Sequence, residues 1–277
     1  MTDEFATVFD WNDPALMTVF DEAPLWSAIF GQVLLERVPL APGLTVLDLA
    51  CGAGFPLLDL AQRLGQACHA YGLDSWLNGL RRSRFKQVAL GLKHVALIGG
   101  DGAAMPFAPA TFDLIVSNLG INNFADVRGV LRECTRVLRP GGRLALTTNL
   151  RGHMSEFYTV YADVLQEAGR ADLLPALEAH TAGRTTVAAA CALLEEAGLG
   201  VTDIYEQTFS LRYVNGSALL RHSFIRMAFL EGWREFLPPE EAVAILRRLE
   251  AALNRLAARE GELRLTIPLA YLESVKR

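Results

Sequence analysis

Lysine is nearly missing from this chain: Lys86, Lys93 and Lys276 are the only ones among 26 cations, and arginine supplies the rest. We read that as codon-usage bias. With 31 acids the formal net charge is −5 and the pI about 5.6, which argues against a nucleic-acid backbone as partner. No apolar run approaches the ~20 residues of a membrane span, so no stable membrane association is expected. Met1-Thr-Asp-Glu-Phe5 has neither a basic region nor an apolar one, which predicts no signal peptide. The four cysteines, Cys51, Cys68, Cys134 and Cys191, form no C-x-x-C pair, as expected of a reduced cytoplasmic protein. His69, His94, His153, His180 and His222 show no ligand spacing, so no metal is expected. Internal repeats, low-complexity tracts and long linkers are also lacking. What remains is ample core: 51% of the 277 residues are apolar, enough for one large domain.

The most informative stretch is Val46-Leu-Asp-Leu-Ala-Cys-Gly-Ala-Gly54. An apolar strand runs into a small-residue turn, where only small residues let a backbone pass close under a ligand. Leu57 stands where a dinucleotide fingerprint needs its third glycine, and Phe55-Pro56 replaces the Gly-Lys-Ser/Thr of a phosphate loop. The turn is instead led by an acid, Asp48. Further apolar runs at 67–73, 94–99, 112–117 and 143–148 alternate with amphipathic segments near 55–64, 76–90 and 126–138. Runs apolar throughout are strands covered on both faces, so the pattern predicts right-handed βαβ units in a doubly wound sheet. Asp74 closes the second strand, twenty residues past Gly54, and Asp101 follows the third in Gly-Gly-Asp-Gly-Ala-Ala.

These features, with Phe112-Asp-Leu-Ile-Val-Ser-Asn-Leu-Gly120 and Arg136-Val-Leu-Arg-Pro-Gly-Gly-Arg-Leu144, resemble the class I S-adenosylmethionine (SAM) dependent methyltransferases of the type 11, ubiquinone/menaquinone C-methyltransferase-like group. The resemblance implies a Rossmann-like α/β fold with a doubly wound, seven-stranded, mostly parallel sheet and an inserted helical lid. It also implies SAM as cofactor, with S-adenosylhomocysteine as product. Gly52, Ala53 and Gly54 would pass under the methionine end, with Ala50 where the family often has glycine. Asp48 would anchor the loop or take the amino group. Asp74 would take the ribose, with Ser75 or Trp76 against the adenine. Asp101, Gly102 and Ala103 would meet the adenine edge, and Asn118, Leu119 and Gly120 would lie beside the methyl. Each acid has a plainer role open to it. Asp48 could tie a turn, Asp74 and Ser75 could cap the next helix, and Asp101 could be turn chemistry. In the stretch 117–124 the quinone enzymes usually carry Arg-Asn, whereas Asn122 fills the arginine slot here.

The chain reads as one domain, with core at about 40–150, 185–214 and 261–277. Lids are expected at 1–39, 151–184 and 215–260, with helices near 155–168, 173–180, 217–236 and 239–259. Strands at 201–214 and 262–271 would be the last pair, the seventh antiparallel. A helix over 217–236 would align Ala218, His222, Ile225, Phe229, Trp233 and Phe236, a stripe that suits core packing or an acceptor pocket. The acceptor is expected to be a small, largely apolar or aromatic molecule. His222 and His153 are candidate general bases. A SAM-binding protein without catalysis and a protein or RNA methyltransferase are the alternatives. The sequence leaves the oligomeric state open.

Overall fold

Short apolar runs become strands here because helices cover both faces. In the computed structural model, residues 5, 9–10, 13–22 and 25–277 are described. The first four residues, on which the signal-peptide expectation rests, and part of the expected 1–39 lid lie outside them. Helices α1 (Pro14–Glu22) and α2 (Leu25–Arg37) precede β1 (Thr45–Leu49), α3 (Leu57–Leu64), β2 (His69–Asp74) and α4 (Leu77–Ala89). Then come β3 (Val95–Gly99), β4 (Phe112–Asn118), α5 (Val127–Val137) and β5 (Leu138–Asn149). The sheet order is β3-β2-β1-β4-β5-β7-β6, with β7 (Leu263–Lys276) antiparallel to β5 and β6 spanning Leu199–Tyr213. This is the doubly wound, mostly parallel sheet that the sequence predicts. Its order reverses between β1 and β4, the switch point at which open α/β sheets take ligands. Helix α3 shows why the elements hold: Leu57, Leu58, Leu60, Ala61 and Leu64 are buried, while Asp59 and Arg63 pair on its solvent side.

Contacts divide the chain into two compact units. One holds the described residues from 13 to Asn149 with Thr185–Gln207 and Leu269–Arg277, and so most of the sheet. The other holds Leu150–Arg184 and Thr208–Pro268 with Phe5 and residues 9–10. Helices α1 and α2 cluster with the sheet unit. The second unit carries α6 (Ser155–Glu167), α7 (Leu174–Ala182), α9 (Gly216–Arg221), α10 (Ser223–Ala228), α11 (Leu230–Arg234) and α12 (Pro239–Glu260), whereas α8 (Val187–Glu196) belongs to the sheet unit. Its interior is aromatic: Phe157 stacks on Trp233 at 4.1 Å, and the Tyr161 hydroxyl donates to the Trp233 carbonyl at 2.7 Å.

Two expected elements differ. The single helix over 217–236 is three short ones, bent at His222 (φ −62°, ψ 126°) and Phe229 (φ −126°, ψ −33°). Leu219, Leu220, Phe224, Ile225, Leu230 and Trp233 are all buried, and at 100° per residue they occupy more than one face of a straight helix. The breaks re-aim each turn toward the interior, so the expected continuous stripe does not form. Strand β5 begins five residues early: Phe112 pairs with Leu138, then Leu114 with Arg143, and the Pro140-Gly-Gly segment bulges between. A Cβ on Gly142 would lie 2.9 Å from the Arg139 carbonyl oxygen and 3.1 Å from that of Phe112, so only glycine lets the bulge close.

Candidate functional site

The turn after β1 is held from below. The N–H groups of Ala50 and Cys51 donate to the Leu73 carbonyl at 2.8 and 3.3 Å, and Gly54 N–H to the Cys51 carbonyl at 2.8 Å. Ala50 adopts φ +63°, a left-handed conformation that disfavours any Cβ. Gly52 and Gly54 follow at φ +50° and +98°. A Cβ added to Gly52 would meet nothing within 4 Å, so the loop backbone faces open space there. Asp48, at the strand end, is fully buried, and neither of its oxygens has a hydrogen-bond partner among the described residues. Burial pushes its carboxyl well above the usual carboxylate range; the Leu57 N–H, near it without closing a hydrogen bond, offsets part of the shift, and the Asp74 charge adds to it.

Asp74 serves two segments at once. Its Oδ2 accepts from Gly52 N–H and its Oδ1 from Trp76 N–H, both at 2.7 Å. It therefore ties the loop to β2 and sets the approach to α4, and each oxygen keeps a lone pair for a further donor. Asp101 Oδ1 accepts from Ala103 N–H at 2.9 Å, an Asx turn. Both acids line a cavity of about 420 Å³ at the carboxyl ends of β1 to β3. Ala50, Ser75, Gly102 and Ala103 line it too, so six of the expected residues converge there.

The other expected residues lie elsewhere. Asp48, Gly52, Ala53, Gly54, Trp76, Asn118, Leu119 and Gly120 do not line this cavity. The Trp76 ring meets Phe20 of α1 edge-on at 5.7 Å. Asn118 is pinned at both ends: its amide donates to the Ser27 carbonyl at 3.0 Å, and its oxygen accepts from Thr147 Oγ1 at 2.7 Å. Leu119 takes φ +65° at the start of the following turn. Asn123, Phe124 and Asp126 line the cavity without having been singled out as site residues. The signal for Asn123 and Phe124 was the stretch 117–124, which resembles the quinone enzymes; Asp126, beyond it, also N-caps α5 through Gly129 N–H at 2.8 Å. Asn122 is occupied, donating to Asn149 Oδ1 at 2.8 Å and accepting from Thr148 Oγ1 at 2.6 Å.

In the helical unit, His153 is 3% exposed and stacks on Phe229 at 5.6 Å. Burial first, then the Arg184 and His180 charges, lower its pKa to about 3, so its imidazole is neutral. With Tyr158 and Arg184 it lines a cavity of about 570 Å³. His222 sits at the break between α9 and α10, edge-on to Tyr213 at 5.6 Å, its pKa lowered by burial. A larger groove of about 850 Å³ runs between α6 and α12. Its walls mix acids with Arg255, Arg259 and Arg264, as solvated helix faces do, and it touches no strand-end acid.

A mostly parallel sheet of this order, with a cavity flanked by acids at its switch point, has the Rossmann-like class I methyltransferase architecture. Comparison with known proteins agrees. The chain belongs to the methyltransferase-domain family, whose model matches residues 40–188. It is 35% identical over 170 residues to a demethylmenaquinone methyltransferase of Corynebacterium urealyticum, covering 60% of this chain and 68% of that one. With the Lactococcus lactis enzyme of the same name it shares 32% over 135 residues, 49% of this chain and 52% of the relative. The chain thus spans between about half and just over two thirds of the length of these curated relatives. A SAM-dependent methyltransferase from Aquifex aeolicus superposes with a TM-score of 0.54 at 21% identity, over 69% of this chain and 91% of that one. No described helix is long and apolar enough to cross a membrane, and the described residues hold no cluster suited to a metal.

Proposed function

We propose that the chain transfers the SAM methyl group to a small, largely apolar or aromatic acceptor, with the donor held at the cavity after β1 to β3. The observation that carries this reading is the Asp74 carboxylate. It is already fixed by two backbone N–H groups at 2.7 Å, with lone pairs left for the two ribose hydroxyls. The residues present fit the donor: Gly52 opens onto free space, and buried Asp48 lacks a partner among the described residues. Asp101, Gly102 and Ala103 would take the adenine edge, and Ser75 would pack beside it. Gly52, Ala53 and Gly54 would carry the methionine end, with Asp48 beneath them for the amino group and the start of α3 favouring the carboxylate. Asn118, Leu119 and Gly120 would border the transferred methyl.

The bound donor supplies a methyl already activated on a sulfonium, so the protein's task is alignment and exclusion of water more than reactive side chains. The chain's own residues suit that task, since the loop is tied to β2 through Asp74 and to the Leu73 carbonyl before any ligand arrives. The names of the relatives support a small-molecule acceptor. Asn122, bound to Thr148 and Asn149 where the quinone enzymes carry arginine, argues against assigning demethylmenaquinone itself. His153 and His222 remain the candidate bases, and a reduced cytoplasmic setting suits the four free cysteines. Calorimetric titration with SAM and S-adenosylhomocysteine, with NADH as control, tests the donor site. Micromolar binding of both adenosyl ligands and none of NADH is expected; absence of adenosyl binding refutes the reading.

A further inference from the structure

Helix α4 carries a face that a solvated helix does not usually show. Leu77, Phe85 and Val88 are 58%, 65% and 64% exposed, and Leu90 just beyond the helix is 51% exposed. At 100° per residue, Leu77, Arg81, Arg84, Phe85 and Val88 fall on one face, and all five are exposed. The opposite face is locked down: Leu80, Ser83 and Gln87 are buried, and Gln87 Nε2 donates to the carbonyls of Leu92 and Val95 at 3.0 and 2.6 Å. The apolar stripe therefore cannot turn inward.

Its charge is as unusual as its apolarity. From Ser75 to Gly100 the sequence has five cations, Arg81, Arg82, Arg84, Lys86 and Lys93, and no acid, in a chain of net charge −5. Asp21 of α1 pairs with Arg82 and Lys86, both at 2.6 Å, which neutralises that flank. Among the described residues, Arg81 and Arg84 bond to the neutral side chains of Asn78 and Gln87 and to no acid, and Lys93 stands exposed. Arg81 and Arg84 also line an open groove of about 430 Å³ with Leu77, Leu80 and Leu97.

We propose that α4 docks this face, reversibly, onto an anionic lipid surface. Protruding apolar side chains interleaved with uncompensated arginines are what an interfacial helix presents to acyl chains and phosphates. A second copy of the chain would set Arg81 and Arg84 against their own charge. An acidic soluble partner would match the arginines while leaving Phe85 and Val88 unexplained. The surface is independent of the acceptor assigned above.

The test is co-sedimentation of the full chain with phosphatidylglycerol/phosphatidylcholine vesicles and with phosphatidylcholine alone, at low and high salt. Binding to the anionic vesicles, weakened by salt, is expected. Arg81→Gln with Arg84→Gln should lower the partition coefficient about thirtyfold, roughly fivefold per cation. Phe85→Ser with Val88→Ser should also lower it while leaving SAM affinity and the unfolding midpoint unchanged. Failure to bind anionic vesicles at low salt overturns the proposal, as does binding equal to the parent's by either double variant. A Phe85-dependent dimer in lipid-free sedimentation would assign the face to a second copy instead.

Discussion

Asp74→Ala is the sharpest perturbation of the donor site. The substitution removes two hydrogen bonds to a charged acceptor, each 2.7 Å long, and every bond the carboxylate would make to the ribose. A hydrogen bond to a charged group contributes about 1.5–3 kcal/mol. Asp74 is half-buried, so solvent screening favours the lower figure. SAM affinity should fall roughly tenfold to a hundredfold, and the unfolding midpoint by only a few degrees. Adenosine separates the two ways Asp74 could act. If the carboxylate touches the ribose, adenosine binding falls by the same factor as SAM binding. If it only ties down the loop under the methionine end, adenosine affinity stays unchanged. Calorimetry with SAM, S-adenosylhomocysteine and adenosine reads all three. A folded Asp74→Ala protein that binds SAM within twofold of the parent refutes the reasoning.

Asp48→Asn should stabilise the free protein and weaken SAM binding, as unfolding midpoints and calorimetry would show. The folded pKa of Asp48 lies above its ordinary 3.8, so the parent loses stability as pH rises from that value to the folded pKa, and the advantage of asparagine grows across the same window. Ala50→Val should cost about 2 kcal/mol, because a β-branched residue tolerates φ +63° poorly, whereas Ala50→Gly should hold or raise the melting temperature. His153 has the opposite linkage: its folded pKa of about 3 lies below the ordinary 6.5. Its contribution is full above 6.5 and lost as pH falls toward 3, at about 1.4 kcal/mol per pH unit; His153→Phe should flatten that slope in midpoint-versus-pH measurements.

The strands were legible in the sequence because burial on both faces leaves uninterrupted apolar runs, and the acids closing β2 and following β3 stand at their ends. The doubly wound parallel sheet follows from strand and helix alternation plus the handedness of βαβ units, whereas the seven-strand count came with the family resemblance and the strand order only with the fold. Less legible was whatever depends on where a chain turns under tertiary load. The segment 217–236 has a helical period, but its buried residues do not share one face, and only the packed unit shows the breaks at His222 and Phe229. The early start of β5 hid in Pro140-Gly-Gly, which reads as a turn and serves as a bulge. Asn123 and Phe124 reach the strand-end cavity from the loop after β4, where no spacing rule marks a lining residue.

Asp74 also shows why capping and ligand contact could not be separated in the sequence. The acid neither caps α4 nor is free of it: Trp76 takes the N-cap position without a capping bond to the helix, and the carboxylate reaches both Trp76 N–H and Gly52 N–H. A structural bond and a binding role share one carboxylate because each oxygen accepts more than one donor. The two histidines show the same economy from the other side. Burial keeps His153 neutral, but a conjugate acid of pKa about 3 makes it a weak base near neutrality. A displacement that starts from a sulfonium tolerates so weak a base only if the acceptor loses its proton easily or after transfer. If His153 is the base, an acceptor screen is expected to yield acidic hydroxyls and carbons rather than alcohols and neutral amides.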